Sequence, residues 1–384
     1  MKICIVTSNV RKGDGQARVN YEIVRQAIAR NHQITLVVRH VAPEIEQNKL
    51  VSCTYFPVEK ISTELMRGFV FTRNSDRWLQ KHEQEFDVVI SCGAVTSRET
   101  DVNIVHFVHS AWLKSPFHTI RMSRDLYGAY QWMYSALNAY WEKFAFQKAK
   151  ILIAVSETIK RELIEIGVSQ EKIQVISNGV DVDEFCPAFP INQLRQQFGL
   201  PEKVDLALFV GEFKTNRKNL DTVLKALVNV PSLHLAVVGS IENSPYPQLA
   251  KQLGVNERVH FLGYRSDIAK IMQNVDFFVF PSRYEPFGMV VSEAMASGLP
   301  VITTSVSGVA AIITPECGIV LTDSEDVLAL TDALIRLTSN FDLRMQMGQA
   351  ARAIAEEHSW SSKAKNYLEI FESFAKPKVA HRSV

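Results

Sequence analysis

Short apolar runs alternate along this chain with longer stretches of helical period. In the first half the runs read KICIVTS, QITLVV, FDVVISC, NIVHFVH, ILIAVS and IQVISNGV; in the second they read DLALFVG, HLAVVGS, RVHFLG, VDFFVF, PVITT and GIVLT. Strands alternating with helices in this way predict a doubly wound α/β protein. The alternation breaks at NGVDVDEFCPAFPINQ, where turn residues and two prolines stand. The expected division is therefore 1–183 and 184–361, with 362–384 left as a closing helix and tail. Two similar sheets joined there would leave a cleft between them. The 384 residues agree with this, since one hydrophobic core rarely serves more than roughly 250–300.

The segment YEPFGMVVSEAMASGLPVIT, 284–303, holds two carboxylates in apolar surroundings. Pro286 disfavours the α conformation at Glu285, which is expected to be extended and outside any helix. From about Met289 the pattern turns helical, with Val290, Val291, Ala294 and Met295 predicted on one face. Gly298 and Pro300 end it. The unit reads as strand, loop, helix, strand. Glu285 then lies at the carboxyl end of a parallel strand, the edge where open α/β sheets bind ligands, and Glu293 one to two turns into the helix.

Composition narrows the class. The chain is 47% hydrophobic and 22% charged with a formal net charge of +1, so it lacks the basic footprint of a nucleic-acid binder. Five dispersed cysteines, Cys4, Cys53, Cys92, Cys186 and Cys317, show no metal-ligand spacing and suit a reducing compartment. MKICIVTSNV is too short and too soon polar for a signal peptide, and no apolar run nears the ~18 residues that span a bilayer. A cytoplasmic protein is expected.

Other loops on the same strand edges carry candidate chemistry. After the first strand come Gly13, Asp14 and Gly15, then a helix expected to turn Val19, Ile23 and Ile28 inward. This is a poor dinucleotide fingerprint, because Arg18 replaces the third glycine and Arg39 stands where a ribose-binding acid is expected. An NADP site, with Arg39 on the 2′-phosphate, and a plain tight turn both stay open. In the second half FVGEFKTNRKNLDTVLKAL places Arg217 and Lys218 before a helix that Asn219 or Asp221 would cap. Two cations beside a helix N-terminus suit a diphosphate, although a solvated basic loop has the same composition. His106 and His109 alternate on NIVHFVHSAW, and His109 is placed nearest the strand's carboxyl end.

Together these segments resemble the group-1 glycosyltransferases, family four of the retaining GT-B enzymes, over nearly the whole chain. PSRYEPFGMVVSEAMASGLPVI resembles the family's Glu, seven residues, Glu signature; VISNGVDVDEFCP resembles its interdomain segment and VGEFKTNRKNL its phosphate loop. SWSSKAKNYLEIF is similar to the closing helix that returns to the first domain. The resemblance implies two Rossmann-like domains facing across a cleft, with the acceptor on the N-terminal side and a nucleotide sugar on the C-terminal side. It implies catalytic roles for His109, Glu285 and Lys218. Glu285 would hold donor-sugar hydroxyls, backbone N–H groups around Phe287 and Gly288 would approach sugar and phosphate, and Glu293 would bind the ribose. Met289, Val290, Gly15, Arg217 and Gly308 complete the implied donor set.

The chain also departs from the family pattern. Glu212 stands where many members have an arginine after the phosphate-loop glycine, VSGVAAIITPECG keeps Ser307 and Gly308 but not the following acid, and the first loop has Gly-Asp-Gly instead of adjacent glycines. The implied reaction is sugar transfer to an acceptor hydroxyl with retention, without metal or cofactor, Lys218, Arg217 and the helix N-terminus behind Gly308 stabilising the leaving diphosphate. An epimerase or phosphorylase of the same fold, a non-catalytic sugar-nucleotide binder and an NADP-dependent reductase are the alternatives. Base contacts are expected near Tyr264 and Arg265. Finally, LYGAYQWMYSALNAYWEKFAFQKAK spreads aromatics around a helix near Lys114, His118, Arg121 and Arg124, with Arg67, Arg73 and Arg77 in an earlier segment. It either packs in the first domain or meets a lipid-linked acceptor at the inner membrane face.

Overall fold

The computed structural model describes residues 1–13, 15–122, 125–188, 194–242 and 244–375. Its contacts divide into two units: 1–178 with 360–384, and 179–359. Asp14 and Arg124, both named above, and 376–384 of the tail lie outside the described residues.

The first unit is built on seven strands: β1 (Lys2–Val6), β2 (Gln33–Val38), β3 (Val51–Tyr55), β4 (Val88–Cys92), β5 (Val102–Val105), β6 (Ile151–Ala154) and β7 (Ile173–Val175). They lie in the order β3-β2-β1-β4-β5-β6-β7, every pair parallel. The second unit has six: β8 (Asp205–Val210), β9 (Leu233–Val238), β10 (Val259–Gly263), β11 (Phe277–Phe280), β12 (Val301–Thr304) and β13 (Gly318–Leu321). Their order is β10-β9-β8-β11-β12-β13, again all parallel. Helices cover both faces of such sheets, so Leu206, Ala207, Leu208 and Phe209 of β8 are all fully buried, as a continuous apolar run requires.

In both units the chain builds outward from the first strand on one side, then returns to its other side. That reversal, at β1/β4 and at β8/β11, is the switch point where loops diverge and open a crevice. The loops after β8 and β11 are the two that hold Lys218 and Glu285.

Three elements differ from the sequence reading. β3 was not among the apolar runs, because this edge strand carries Ser52, Cys53 and Thr54 and is only half-buried. NIVHFVH is not a strand to its end: β5 stops at Val105, and His109 is the first residue of the helix His109–Lys114. In the helix Met289–Ala296, Val291, Ala294 and Met295 are buried, but Val290 is not; it borders the open face with Met289 and Glu293.

The last helix, Trp360–Ser373, belongs to the first unit. Its buried positions, Trp360, Ala364, Tyr367, Leu368 and Phe371, follow a helical stripe that packs on the helix Gly15–Ala29. Glu372 closes the contact, accepting from Arg30 at 3.0 Å and pairing with His32 at 2.9 Å.

Candidate functional site

The loop 281–288 after β11 and the turn 216–218 after β8 are fastened together by Arg283. Its backbone N–H donates to the Arg217 carbonyl at 2.9 Å. Its guanidinium donates to the Asn216 carbonyl and to both Asp221 oxygens at 2.8 Å, and to Glu325 at 2.6 and 2.9 Å. Burial works against the charge, yet these carboxylates hold the guanidinium pKa above its ordinary value. The Ser282 hydroxyl adds a bond to the Arg217 carbonyl at 3.0 Å. Nothing in the spacing of the sequence singled out Arg283; its place between a strand and the Glu285-Pro286 pair was the only signal. Asp221 is thus spent on Arg283, and Asn219 sits in the left-handed region (φ 67°) donating to the Pro281 and Ser324 carbonyls. Neither side chain caps the helix Leu220–Leu227, contrary to the sequence reading.

So anchored, the turn sets Lys218 against Glu285. Nζ donates to Glu285 Oε2 in a short ion pair and lies 5.0 Å from the centre of the Phe280 ring. The two side chains keep only 15% and 12% of their surface exposed. Burial alone would raise the Glu285 carboxyl, but Lys218 and Arg217 outweigh it and hold the pKa below the usual carboxylate range. Burial draws the Lys218 ammonium down from its ordinary value against the pull of Glu285. Among the described residues, the Arg217 guanidinium has no hydrogen-bonded partner, so it is the cation left open beside the pair. Gly211 at the end of β8 admits Lys218 closely: a Cβ there would stand 3.2 Å from Lys218 Cγ. Glu212 points elsewhere, accepting from the Lys214 N–H at 2.8 Å, and is exposed.

Glu285 is extended, as its proline neighbour requires, and forms an isolated parallel bridge with Ser307. Phe287 is buried and Gly288 turns the chain into the helix Met289–Ala296 at φ 99°. A Cβ on Gly288 would meet Glu285 Cγ and Val309 Cγ1 at 3.3 Å. Among the described residues, the N–H groups of Gly288, Met289 and Val290 have no acceptor; as the orphan donors of a helix start they favour an anion. Glu293 lies one turn beyond Met289 on the same half-exposed face. Gly308 does not supply a second such terminus. The turn Gly308–Ile312 is a short 3₁₀ helix, and its first N–H groups are taken: Gly308 by the Glu285 carbonyl at 3.0 Å, Val309 by Phe287 at 2.7 Å, Ala310 by Ser307 at 3.0 Å. Gly308 supports the loop that holds Glu285 rather than facing an anion itself.

In the first unit, Gly15 is the exposed first residue of its helix, and Gly13 ahead of it has φ 87°. Val19 and Ile23 point inward and Ile28 is half-buried. Arg18 is buried against Glu22 at 2.8 Å, and Arg39 is paired with Glu64 at 2.7 Å, while its buried Nε has no partner among the described residues. A cavity of about 180 Å³ opens nearby, lined by Gln16, Arg39, Cys92, His106, His109 and Tyr134 among others. His106 has an inaccessible Nε2 without a partner among the described residues, and burial lowers its pKa to about 4.

The remaining candidates scatter. Tyr264 is 80% exposed, and Arg265 is held by Asp267 at 2.8 and 2.6 Å. His118 is not a surface cation: it is buried, with Nε2 3.1 Å from the Ser135 hydroxyl. Lys114, Arg121, Arg73 and Arg77 are exposed, while Arg67 is tied to Glu64 and the Ile61 carbonyl. The helix Leu126–Lys148 buries only a narrow face, Gly128, Ser135, Glu142, Ala145 and Phe146, and exposes Leu126, Met133, Leu137, Tyr140 and Phe144 along one stripe. Among the described residues no helix is long and apolar enough to cross a membrane. No three of their His, Cys, Asp and Glu side chains cluster as metal ligands.

Comparison with known proteins completes the picture. Residues 13–184 match the family model of Glycosyltransferase Family 4, and 190–354 that of Glycosyl transferases group 1. The chain is 30% identical over 243 residues to a D-inositol 3-phosphate glycosyltransferase of Xylanimonas cellulosilytica, covering 60% of this chain and 58% of that one. It is 30% identical over 241 residues to the lipopolysaccharide glucosyltransferase WaaG of Escherichia coli, covering 58% and 64%. The chain thus aligns with less than two thirds of the length of either relative. Among solved structures, WaaG superposes with a TM-score of 0.75 at 22% identity, over 96% of this chain and 99% of that one. Anabaena Alr3699/HepE in complex with UDP and glucose does so with a TM-score of 0.71 at 19% identity, over 97% and 100%.

Proposed function

Because the chain belongs to the group 1 glycosyltransferases of family four, with their architecture of two Rossmann-like domains, we propose that it is a retaining transferase. It moves a sugar from a nucleoside diphosphate sugar to an acceptor hydroxyl, in the assembly of a cell-surface polysaccharide, lipopolysaccharide or glycolipid. The observation that carries this reading is one constellation at the second switch point. The buried Lys218–Glu285 pair adjoins the open N–H groups of Gly288, Met289 and Val290, and Glu293 stands one turn further along the same helix face.

In this reading the diphosphate takes the helix start and Arg217, Glu293 binds the ribose, and Glu285 holds hydroxyls of the donor sugar. The bond from the anomeric carbon to the diphosphate oxygen breaks, and the acceptor oxygen bonds to the same face. The acceptor's proton passes to the leaving diphosphate. Charge grows on that group as the bond breaks, and fixed cations and N–H groups stabilise it most at that moment. Lys218 and Arg217 supply this charge, so the proposed reaction needs no metal and no cofactor. Tyr264 is the open side chain proposed for the base; Arg265 is committed to Asp267.

The ribose assignment has a direct test. Glu293→Ala should weaken donor and free nucleoside diphosphate alike, by about 1.5–3 kcal/mol for a hydrogen bond to a charged group. Calorimetric titration showing unchanged affinity for the free nucleotide would refute it. The exposed stripe on Leu126–Lys148, with Arg121 and Lys114 close in sequence, favours peripheral contact with the inner membrane face and a lipid-linked acceptor. Co-sedimentation with anionic but not zwitterionic vesicles is the expected result, and equal binding to both would remove the proposal.

A further inference from the structure

The helix Leu126–Lys148 presents its polar residue Glu142 to the interior, 4% exposed. Its carboxylate takes two bonds from one residue: the backbone N–H of His109 donates to Oε2 at 2.8 Å, and the ring Nδ1 stands 2.5 Å from Oε1. A carboxylate that accepts both bonds calls for the ring proton on Nδ1. The first bond fixes where the helix His109–Lys114 starts, and the second fixes the ring on it. Tyr134 and Phe107 bracket the imidazole edge-on, at ring separations of 5.6 and 4.8 Å. Nε2 is left without a partner among the described residues, on a side chain that is 18% exposed and lines the 180 Å³ cavity.

From this geometry we infer that Glu142 is a positioning residue: it holds His109 as the Nδ1–H tautomer and leaves Nε2 unpaired on a ring that lines the cavity. The inference rests on the catalytic role that the family resemblance implies for His109, but names a residue that the sequence reading did not. Glu142 lies amid aromatic positions of a helix and 33 residues from its partner, so no spacing rule links the two. The backbone bond alone would satisfy the open N–H at the helix start, where Val108 offers no side-chain cap; the second bond, to the ring, is the one that orients the imidazole. Such an arrangement selects a tautomer and an orientation together, the part played by the orienting acid in acid–histidine pairs.

The test joins spectroscopy with a mutant cycle on the full chain. In ¹⁵N-histidine-labelled protein, the His109 ring, assigned with His109→Gln, should show the Nδ1-protonated tautomer, and Glu142→Gln should shift it toward the Nε2-protonated form. Glu142→Gln should also lower turnover on the order of tenfold or more with donor KM nearly unchanged, and add nothing in a His109→Ala background. If Glu142→Gln is poorly folded, Glu142→Asp serves, with retained tautomer and partial activity expected. An unaltered His109 tautomer in Glu142→Gln would overturn the inference, as would losses that multiply in the His109→Ala background. Full turnover by His109→Ala would instead overturn the catalytic role that the resemblance implies for His109, and the ring spectrum still decides whether Glu142 holds it.

Discussion

Under the proposed reaction Lys218 and Glu285 serve both stability and chemistry. Removing one partner strands a buried charge, which typically costs about 3–5 kcal/mol, whereas replacing both by uncharged groups is often neutral. Lys218→Ala is therefore expected to melt well below the wild type, and Lys218→Met with Glu285→Gln to recover most of the loss. Both proteins should turn over on the order of 10²-fold or more slowly, because the charges act mainly on the transition state. A double variant with near-normal turnover would mean the pair is only structural. His106 makes a pH prediction. Burial keeps its ring neutral in the folded protein down to about pH 4, while an unfolded histidine takes up its proton near 6.5. The unfolded state binds more protons across that window, so the contribution is fully present above 6.5 and lost as the pH falls toward 4. At ~1.4 kcal/mol per unit this amounts to about 3 kcal/mol. Denaturant titrations of His106→Gln should show a shallower acid-side decline; an unchanged slope would contradict the burial argument.

At the scale of elements, legibility followed burial. The four inner strands of the second unit, β8, β9, β11 and β12, are buried along most of their length and stand in the sequence as largely apolar runs, whereas the edge strand Val51–Tyr55 is half-buried and polar enough to pass as a loop. Glu285 was legible as an extended residue before a helix because Pro286 and Gly288 constrain the backbone locally. Arg283, Glu142 and the spent N–H groups behind Gly308 were not, because each depends on partners brought from distant strands by topology. Gly288 is where local and tertiary demands meet. A left-handed conformation costs a side chain roughly 1–2 kcal/mol, and a Cβ would press on Glu285. Gly288→Ala is accordingly expected to lower both the melting temperature and the activity, by strain at a positive φ and by displacing Glu285 from Lys218. Comparing melting temperature with turnover checks this; normal turnover would show that the loop tolerates the displacement.

For the whole molecule, the same strand order is used twice, and each unit brings residues of chemical interest to its own switch point. The first collects Gly15, His109 and the polar cavity; the second collects Arg217, Lys218, Glu285 and Glu293. The helix Trp360–Ser373 leaves the second unit's chain to pack on the first, so the first unit is completed only by residues that follow the second in sequence. A doubly wound repeat of this kind was visible as alternation along the chain, and its division into two units follows from length and core size. The central claim is that this protein activates a nucleoside diphosphate sugar with retention. The measurement that reaches it most directly is proton NMR of UDP-, GDP- and ADP-sugars incubated with the purified chain, read before the released sugar mutarotates and repeated with chelator. Slow cleavage within one nucleotide series, giving first-formed sugar with the donor's anomeric configuration and unaffected by chelation, is the predicted result. Cleavage with inversion, or no binding of any nucleotide sugar alongside tight binding of NADPH, would contradict it.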